Sequence, residues 1–189
     1  MSFNPEAARR LLDKAGFSGG AREGRQLEIV YHFAVFPETK LKSEILQQEW
    51  QRHLGIRVSL MVRAFDTHWN MVLEDAYAGV ADFAFLPNYF DPNPFLDPFI
   101  TAGDGNSSGW TDPVFASMLA DANRTLDPQQ RLAKLSGCEK HLLRAMPVLP
   151  LYTDVWALLQ KPFVRGLTSN LFDIRAFKYS WIDTNWRVA

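Results

Sequence analysis

A single cysteine, Cys138, leaves the chain without an internal disulfide, so the fold must rest on its core and hydrogen bonds. That excludes a disulfide scaffold and suits either a cytosolic protein or a bacterial secreted one. Cys138 sits in a helical pattern with no recognisable base beside it, and reads as a core thiol. No apolar run approaches the roughly 18 residues that would suggest a membrane helix. Charge of one sign is missing too: 20 Lys and Arg face 21 Asp and Glu, net −1. Nucleic-acid binding usually needs a basic excess, so nucleic acid is excluded as a partner. The N-terminus, Met1-Ser-Phe-Asn-Pro-Glu, has no basic stretch followed by an apolar one, hence no signal peptide. Taken literally the chain stays in the cytoplasm; taken as a piece of a longer protein, the missing signal says nothing.

Chemistry-bearing patterns are equally scarce. The histidines, His32, His53, His68 and His141, pair with no other His, Cys or Glu at a metal-ligand spacing. Gly19-Gly20 follows a helix rather than a strand, so it is no phosphate loop. There is no Gly-x-Ser-x-Gly elbow. The run from Asp104 to Ser108 holds only a fragment of a calcium loop's alternating oxygens. The expectation is no catalytic residue, no metal and no cofactor.

What the sequence has is apolar and aromatic weight: 47% hydrophobic and 13% aromatic residues, with 14 Phe and 6 Trp. That fills one domain or slightly more. Asn4-Pro5-Glu6 predicts a capped helix stopped by Gly16. Leu27–Ala34 reads as a strand, Glu38–Leu54 as a helix closed by Gly55, and Ile56–Val62 as a second strand. This unit suits a right-handed parallel crossover. A third helix, capped by Asp66 and ending at Gly79, leads to a strand over Ala81–Leu86, apolar enough for burial on both faces. Pro87–Gly109 is a long loop rich in Pro and Gly. Thr111 or Asp112 before Pro113, and Asp127-Pro128, open two more helices; Pro147 ends the second. Val148–Tyr152 and Val155–Leu159 read as short strands, Pro162–Gly166 as a turn, and Phe177–Ile182 as a strand in the aromatic tail. The fold class is α/β, and its sheet places a Pro-rich aromatic loop at a strand's carboxyl end, where open α/β sheets bind ligands. The same edge argument makes Phe33 and Phe36, after the first strand, candidate cleft residues.

The order of local patterns resembles family 5 of the bacterial extracellular solute-binding proteins, the dipeptide and oligopeptide receptors of ABC importers. The resemblance runs through Phe3-Asn-Pro-Glu-Ala-Ala-Arg-Arg-Leu-Leu-Asp-Lys-Ala-Gly-Phe17, Leu54-Gly-Ile-Arg-Val-Ser-Leu60 and Gly79-Val-Ala-Asp-Phe-Ala84. It continues through Tyr89-Phe-Asp-Pro-Asn-Pro-Phe-Leu96 and Gly105-Asn-Ser-Ser-Gly-Trp-Thr-Asp-Pro-Val-Phe115. Arg131, Met146-Pro-Val-Leu-Pro-Leu-Tyr152 and Lys161-Pro-Phe-Val-Arg-Gly-Leu167 complete it. It implies a type II periplasmic-binding-protein-like lobe with a mixed, mostly parallel sheet flanked by helices. Residues 1–170 would form the second lobe, and 171–189 an incomplete tail that would return to a first lobe missing from this chain. It implies a receptor, not an enzyme, outside the cytoplasm, with a peptide or other small solute as ligand and permease subunits as partners. Nickel, haem, glutathione and oligosaccharides are also ligands in this family. An orphaned lobe surface would make a homodimer of the isolated lobe plausible. The alternative is a cytoplasmic sensor domain of a transcriptional regulator with the same fold.

In the family's peptide binders, an aspartate in the loop after the third strand pairs with the ligand's α-ammonium. Counting without gaps from Asp82 puts Asp91 there. Aligning Asp91-Pro92 on the family's Asp-Pro puts Asn88 there instead, and the charge is then gone. Leu86-Pro87 also stands where the family often has Gly-Trp. Asp91 reads either as a ligand contact or as an Asx turn with Pro92. Tyr89, Phe90 and Phe95 are candidate cleft aromatics.

Overall fold

A computed structural model describes residues 3–103, 105–155, 157–168, 170 and 174–186. The chain divides into two compact units, Met1–Ala84 with Gly103–Gly109, and Phe85–Ala102 with Trp110–Ala189.

The first unit opens with α1, Pro5–Lys14, where Asn4 Oδ1 accepts the Ala7 N–H at 2.9 Å and Pro5 supplies a preset φ. A two-residue ribbon, β1 (Ala21–Arg22) with β2 (Arg25–Gln26), leads into β3, Glu28–Ala34. Helix α2, Pro37–Leu54, ends at Gly55 with φ +68°, its N–H donating to the Gln51 carbonyl. Gly55 is backed against Gly20. A Cβ on Gly20 would meet Gly55 backbone at 2.5–2.6 Å, and one on Gly55 would meet the Gly19 oxygen at 2.7 Å. The chain can cross itself there only without side chains.

Strand β4, Arg57–Arg63, pairs in parallel with β3 over its whole length, from Glu28↔Arg57 to Ala34↔Arg63. Helix α3, Phe65–Leu73, precedes β5, Val80–Ala81. The sheet order is β4-β3-β5, all parallel, as the crossover reading expected. Period-two alternation sends Tyr31 and Phe33 to one face, where Ile56 and Val58 join them under Leu12, Leu46, Trp50 and Leu54. Each fully buried side chain of this size contributes about 1.5–3 kcal/mol.

The second unit is built on a helix pair. Helix α4, Pro113–Arg124, is capped by Asp112, whose Oδ1 accepts the Val114 N–H at 2.7 Å. Helix α5, Pro128–Ala145, is capped by Asp127 through the Gln130 N–H at 2.8 Å. Phe115, Leu119, Ala122, Leu135, Cys138 and Leu142 interlock with Leu96 and Phe99. Burial pushes the Cys138 thiol up. Beyond α5, β6 (Val164–Arg165) pairs antiparallel with β7 (Trp181–Ile182), and Phe163 meets Trp186 at 5.2 Å.

Four sequence readings are corrected. Helix α3 starts one residue before Asp66 and stops at Leu73, because Asp75 enters the left-handed region at φ +52°. There Ala76 N–H donates to Met71 O and Asp75 N–H to Val72 O, closing a Schellman-type stop. The third strand is two residues, not six. β3 continues to Ala34 beside β4, but its pairing with β5 stops at His32↔Ala81, with Asp82 N–H donating to His32 O as the last bond. Val148–Tyr152 and Val155–Leu159 form no ladder among the described residues, and Val155 and Leu159 are 86% and 99% exposed. Apolar β-formers without a partner strand do not make a sheet. Of the strand expected over Phe177–Ile182, Phe177–Tyr179 forms a 3-10 turn and only Trp181–Ile182 is a strand, β7.

Candidate functional site

The three parallel strands end at one edge: β3 at Ala34, β4 at Arg63 and β5 at Ala81. Sequence places an aromatic residue just past each end: Phe36, Phe65 and Phe83. Trp69 adds a fourth, one turn along α3 from Phe65. They form a continuous ladder. Phe36 and Phe65 centroids are 5.9 Å apart, Phe65 and Trp69 5.8 Å, and Trp69 stacks on Phe83 at 4.8 Å and 29°. Such offset and edge contacts are the favoured aromatic geometries. Phe36, Phe65 and Trp69 are 41%, 49% and 38% exposed. These rings stabilise one another while presenting faces to solvent at the edge where parallel sheets take ligands. Of the two candidates after the first strand, Phe36 belongs to this ladder. Phe33 points into the core at 4% exposure, beside Tyr31.

Polar residues adjoin the ring-bearing ones in the chain: Asp82 precedes Phe83 and His68 precedes Trp69. Lys42 Nζ pairs with Asp82 Oδ2 at 2.6 Å. His68 Nε2 donates to the Asp82 carbonyl at 2.6 Å. His32, buried on β3, has Nε2 at 3.0 Å from the Ala78 carbonyl and Nδ1 at 2.7 Å from Arg63 Nη1. Burial lowers its pKa, and the Arg63 charge lowers it further. The ring is therefore neutral, with its proton on Nε2 and Nδ1 accepting from Arg63.

The loop residues 88–95 lie in the second unit. Asn88, Tyr89 and Phe90 are exposed, Phe90 at 81%. Asp91 is held from two sides. Its carboxylate receives a bidentate pair from Arg131, Nη1 to Oδ2 at 2.6 Å and Nη2 to Oδ1 at 2.9 Å. Its Oδ1 also accepts the Asn93 N–H at 2.8 Å, which is an Asx turn. The Arg131 guanidinium holds the Asp91 carboxyl below the usual carboxylate range, and Asp91 raises Arg131 in return. Asn93, buried at 6%, donates through Nδ2 to the Tyr89 hydroxyl and to the Asp97 carboxylate. The loop is thus ordered by its own network, with Asp91 at the centre.

Phe65, Trp69, Phe83, Arg63 and His32 escaped the sequence reading. Extending the edge argument from the first strand to the second and third would have found the three aromatics. Nothing local in the sequence joins Arg63 to His32. Among the described residues no group of three His, Cys, Asp or Glu side chains is placed to hold a metal. No helix there is long and apolar enough to cross a membrane.

Comparison with known proteins accords with this geometry. The chain is 28% identical to the dipeptide-binding protein DppE of Bacillus subtilis over 188 residues, 96% of this chain and 33% of the relative. It thus spans about a third of the length of the curated relatives it matches. It superposes on the Escherichia coli murein tripeptide binding protein MppA with a TM-score of 0.85 at 22% identity, over 94% of this chain and 34% of that one. On Haemophilus influenzae OppA, solved in complex with the peptide RPPGFSPFR, the TM-score is 0.84 at 20% identity, over 95% and 35% of the two chains. The fold is therefore that of type II periplasmic-binding-protein-like proteins. The family model for the bacterial extracellular solute-binding proteins, family 5 Middle, matches residues 2–107, more than half of the chain, and the chain belongs to that family.

Proposed function

We propose that the protein is the solute-binding component of an ABC importer, taking a peptide or related small solute outside the cytoplasmic membrane and delivering it to a permease. The observation that carries this is the solvent-facing ladder of Phe36, Phe65, Trp69 and Phe83 at the carboxyl edge of the parallel sheet. Exposed rings are costly to leave in water and suit stacking with flat or apolar side chains of a ligand. The names of the relatives, which bind dipeptides, oligopeptides and murein peptides, support the substrate class. In this reading residues 1–170 act as one ligand-binding lobe and 171–189 return to another. The work is closure over a ligand, a shift of population with no bond made or broken.

Within the site we assign ligand contact to Phe36, Phe65 and Trp69. In the loop of the second unit, Asn88, Tyr89 and Phe90 are available to a ligand, whereas the charge of Asp91 is already matched by Arg131. Asp91 then serves as the loop's anchor, and the amine-binding position falls to the neutral Asn88. Native mass spectrometry of the complete protein, purified without refolding, tests the reading. Co-purified masses matching short peptides support it. A single non-peptide mass, or bare protein that ignores a peptide pool, overturns the substrate class. Measurable turnover of a peptide would overturn the non-catalytic role.

A further inference from the structure

We infer that Arg63 is a carboxylate receptor at the aromatic edge, so that the solute taken by this protein carries a free carboxylate. The inference rests on the peptide-binding reading and adds the group that the site selects.

Arg63 is the last residue of β4, and its carbonyl accepts the Val35 N–H at 2.9 Å, which fixes its backbone at the carboxyl edge. It lies two residues before Phe65 of the ladder. Its side chain is half-buried, and its Nη1 donates to the Nδ1 of His32 at 2.7 Å. That partner is neutral, held in one tautomer by the Ala78 carbonyl at 3.0 Å. It orients the guanidinium without cancelling its charge. Among the described residues, no carboxylate lies within 4.0 Å of Arg63. Elsewhere Arg131 meets Asp91 at 2.6 Å and Arg165 meets Asp183 at 3.5 Å. A guanidinium has five N–H donors in a planar fork that matches a carboxylate. Here one donor is engaged by the ring.

The surroundings strengthen the demand for an anion. Helix α3 begins directly after Arg63, and its N-cap, Ala64, has no side-chain oxygen to satisfy the first-turn N–H groups. The positive end of that helix adds to the guanidinium, offset in part by Asp66 in its first turn. The acidic groups at this edge are Asp82, already paired with Lys42, and Glu38 and Asp66, first-turn residues of α2 and α3 that form no ion pair among the described residues. A half-buried cation without a counter-charge is unfavourable until an anion arrives, and the aromatic ladder supplies the apolar wall that makes a charge-assisted pair strong.

The test is calorimetry on the complete protein with three peptide probes: Ala-Phe-Ala with a free C-terminal carboxylate, its C-terminal amide, and amidated Ala-Phe-Asp. Wild type is expected to bind the free acid about 10-fold or more tightly than the amide, as a charge-assisted bidentate pair allows. If the side-chain acid of Ala-Phe-Asp amide restores affinity instead, Arg63 reads a side-chain carboxylate and the inference stands. Arg63→Gln should erase the acid preference, so that acid and amide bind alike. Arg63→Lys, which keeps the charge but not the fork, should retain part of it and serves if the Gln variant does not fold. Equal binding of all three probes by wild type, or an acid preference that survives Arg63→Gln, overturns the inference. Failure of wild type to bind any of the three overturns the peptide reading and this inference with it.

Discussion

In the first unit, order comes from a ladder between segments far apart in sequence: seven parallel pairs join β3 to β4, and their shared face fills with Tyr31, Phe33, Ile56 and Val58. In the second unit, order comes from near neighbours. Helices α4 and α5 form a hairpin, with caps at Asp112 and Asp127 and a core led by Phe115, Leu119 and Leu135. The polar pairs differ in the same way. The first unit buries a neutral histidine against a cation; the second binds Asp91 to Arg131. The parallel unit pays for its non-local pairing with slow assembly but gains an edge where strand ends and helix starts coincide. The helical unit offers no such edge, and its described surface chemistry lies in the loop tied down by Asp91.

Four results would break or sharpen that contrast, taken from the largest expected effect downward. Phe115→Ala removes a fully buried ring from the helical core and should cost about 3–5 kcal/mol. Denaturant titration measures the loss, and peptide-resolved hydrogen exchange should confine the loosening to α4 and α5. Loosening that spreads equally into β3 and β4 would show the units unfolding as one. Trp69→Ala acts on the other unit. Because Trp69 is already partly exposed, stability should change by less than about 1 kcal/mol, while ligand affinity falls about 10-fold, a stacking loss of roughly 1.4 kcal/mol. Unchanged affinity would remove the ladder from the site. Arg131→Gln breaks a bidentate but partly exposed pair and should cost about 1 kcal/mol, read as a lower thermal midpoint with faster exchange at residues 88–95.

The fourth result is a pH dependence with two windows. The lowered pKa of His32 means that the unfolded chain takes up its proton first. The stability this group gives the first unit is complete above its ordinary value of 6.5 and is lost as pH falls through its lowered native value. Asp91 is also lowered, from 3.8. Its contribution to the second unit is complete above that value and is lost only on further acidification. Exchange profiles across mildly acidic pH should therefore loosen β3 and β4 before residues 88–95. The reverse order would refute the neutral assignment of His32.

Much of the fold was legible because it is written in short signals. Asn4-Pro5, Asp112-Pro113 and Asp127-Pro128 each start a helix where the cap chemistry demands, and Gly55 ends one where only a left-handed residue fits. The misreadings share a cause. Asp75 took the turn expected of Gly79, since an Asp tolerates that conformation and nothing in its neighbours announces it. The third strand and the two segments before Lys161 were read from composition, but a strand exists only where another lies beside it. The site was least legible. Asp91 and Arg131 are 40 positions apart, and His32 and Arg63 are 31 apart. No spacing rule joins such pairs. The strand ends were visible, and the aromatic residues just past them were the one signal that sequence could have yielded in full.

Cys138 is wholly buried between α4 and α5, and its thiol is pushed above its ordinary pKa. It is chemically silent while the second unit is closed. Since the chain has one cysteine, any labelling by a thiol reagent must time the opening of that unit alone, with the first contributing no background. Under fast reclosing, the labelling rate reports the free energy of opening; under excess reagent, it reports the opening rate itself. The lone thiol is thus a built-in clock for one unit, readable in this chain without an introduced cysteine.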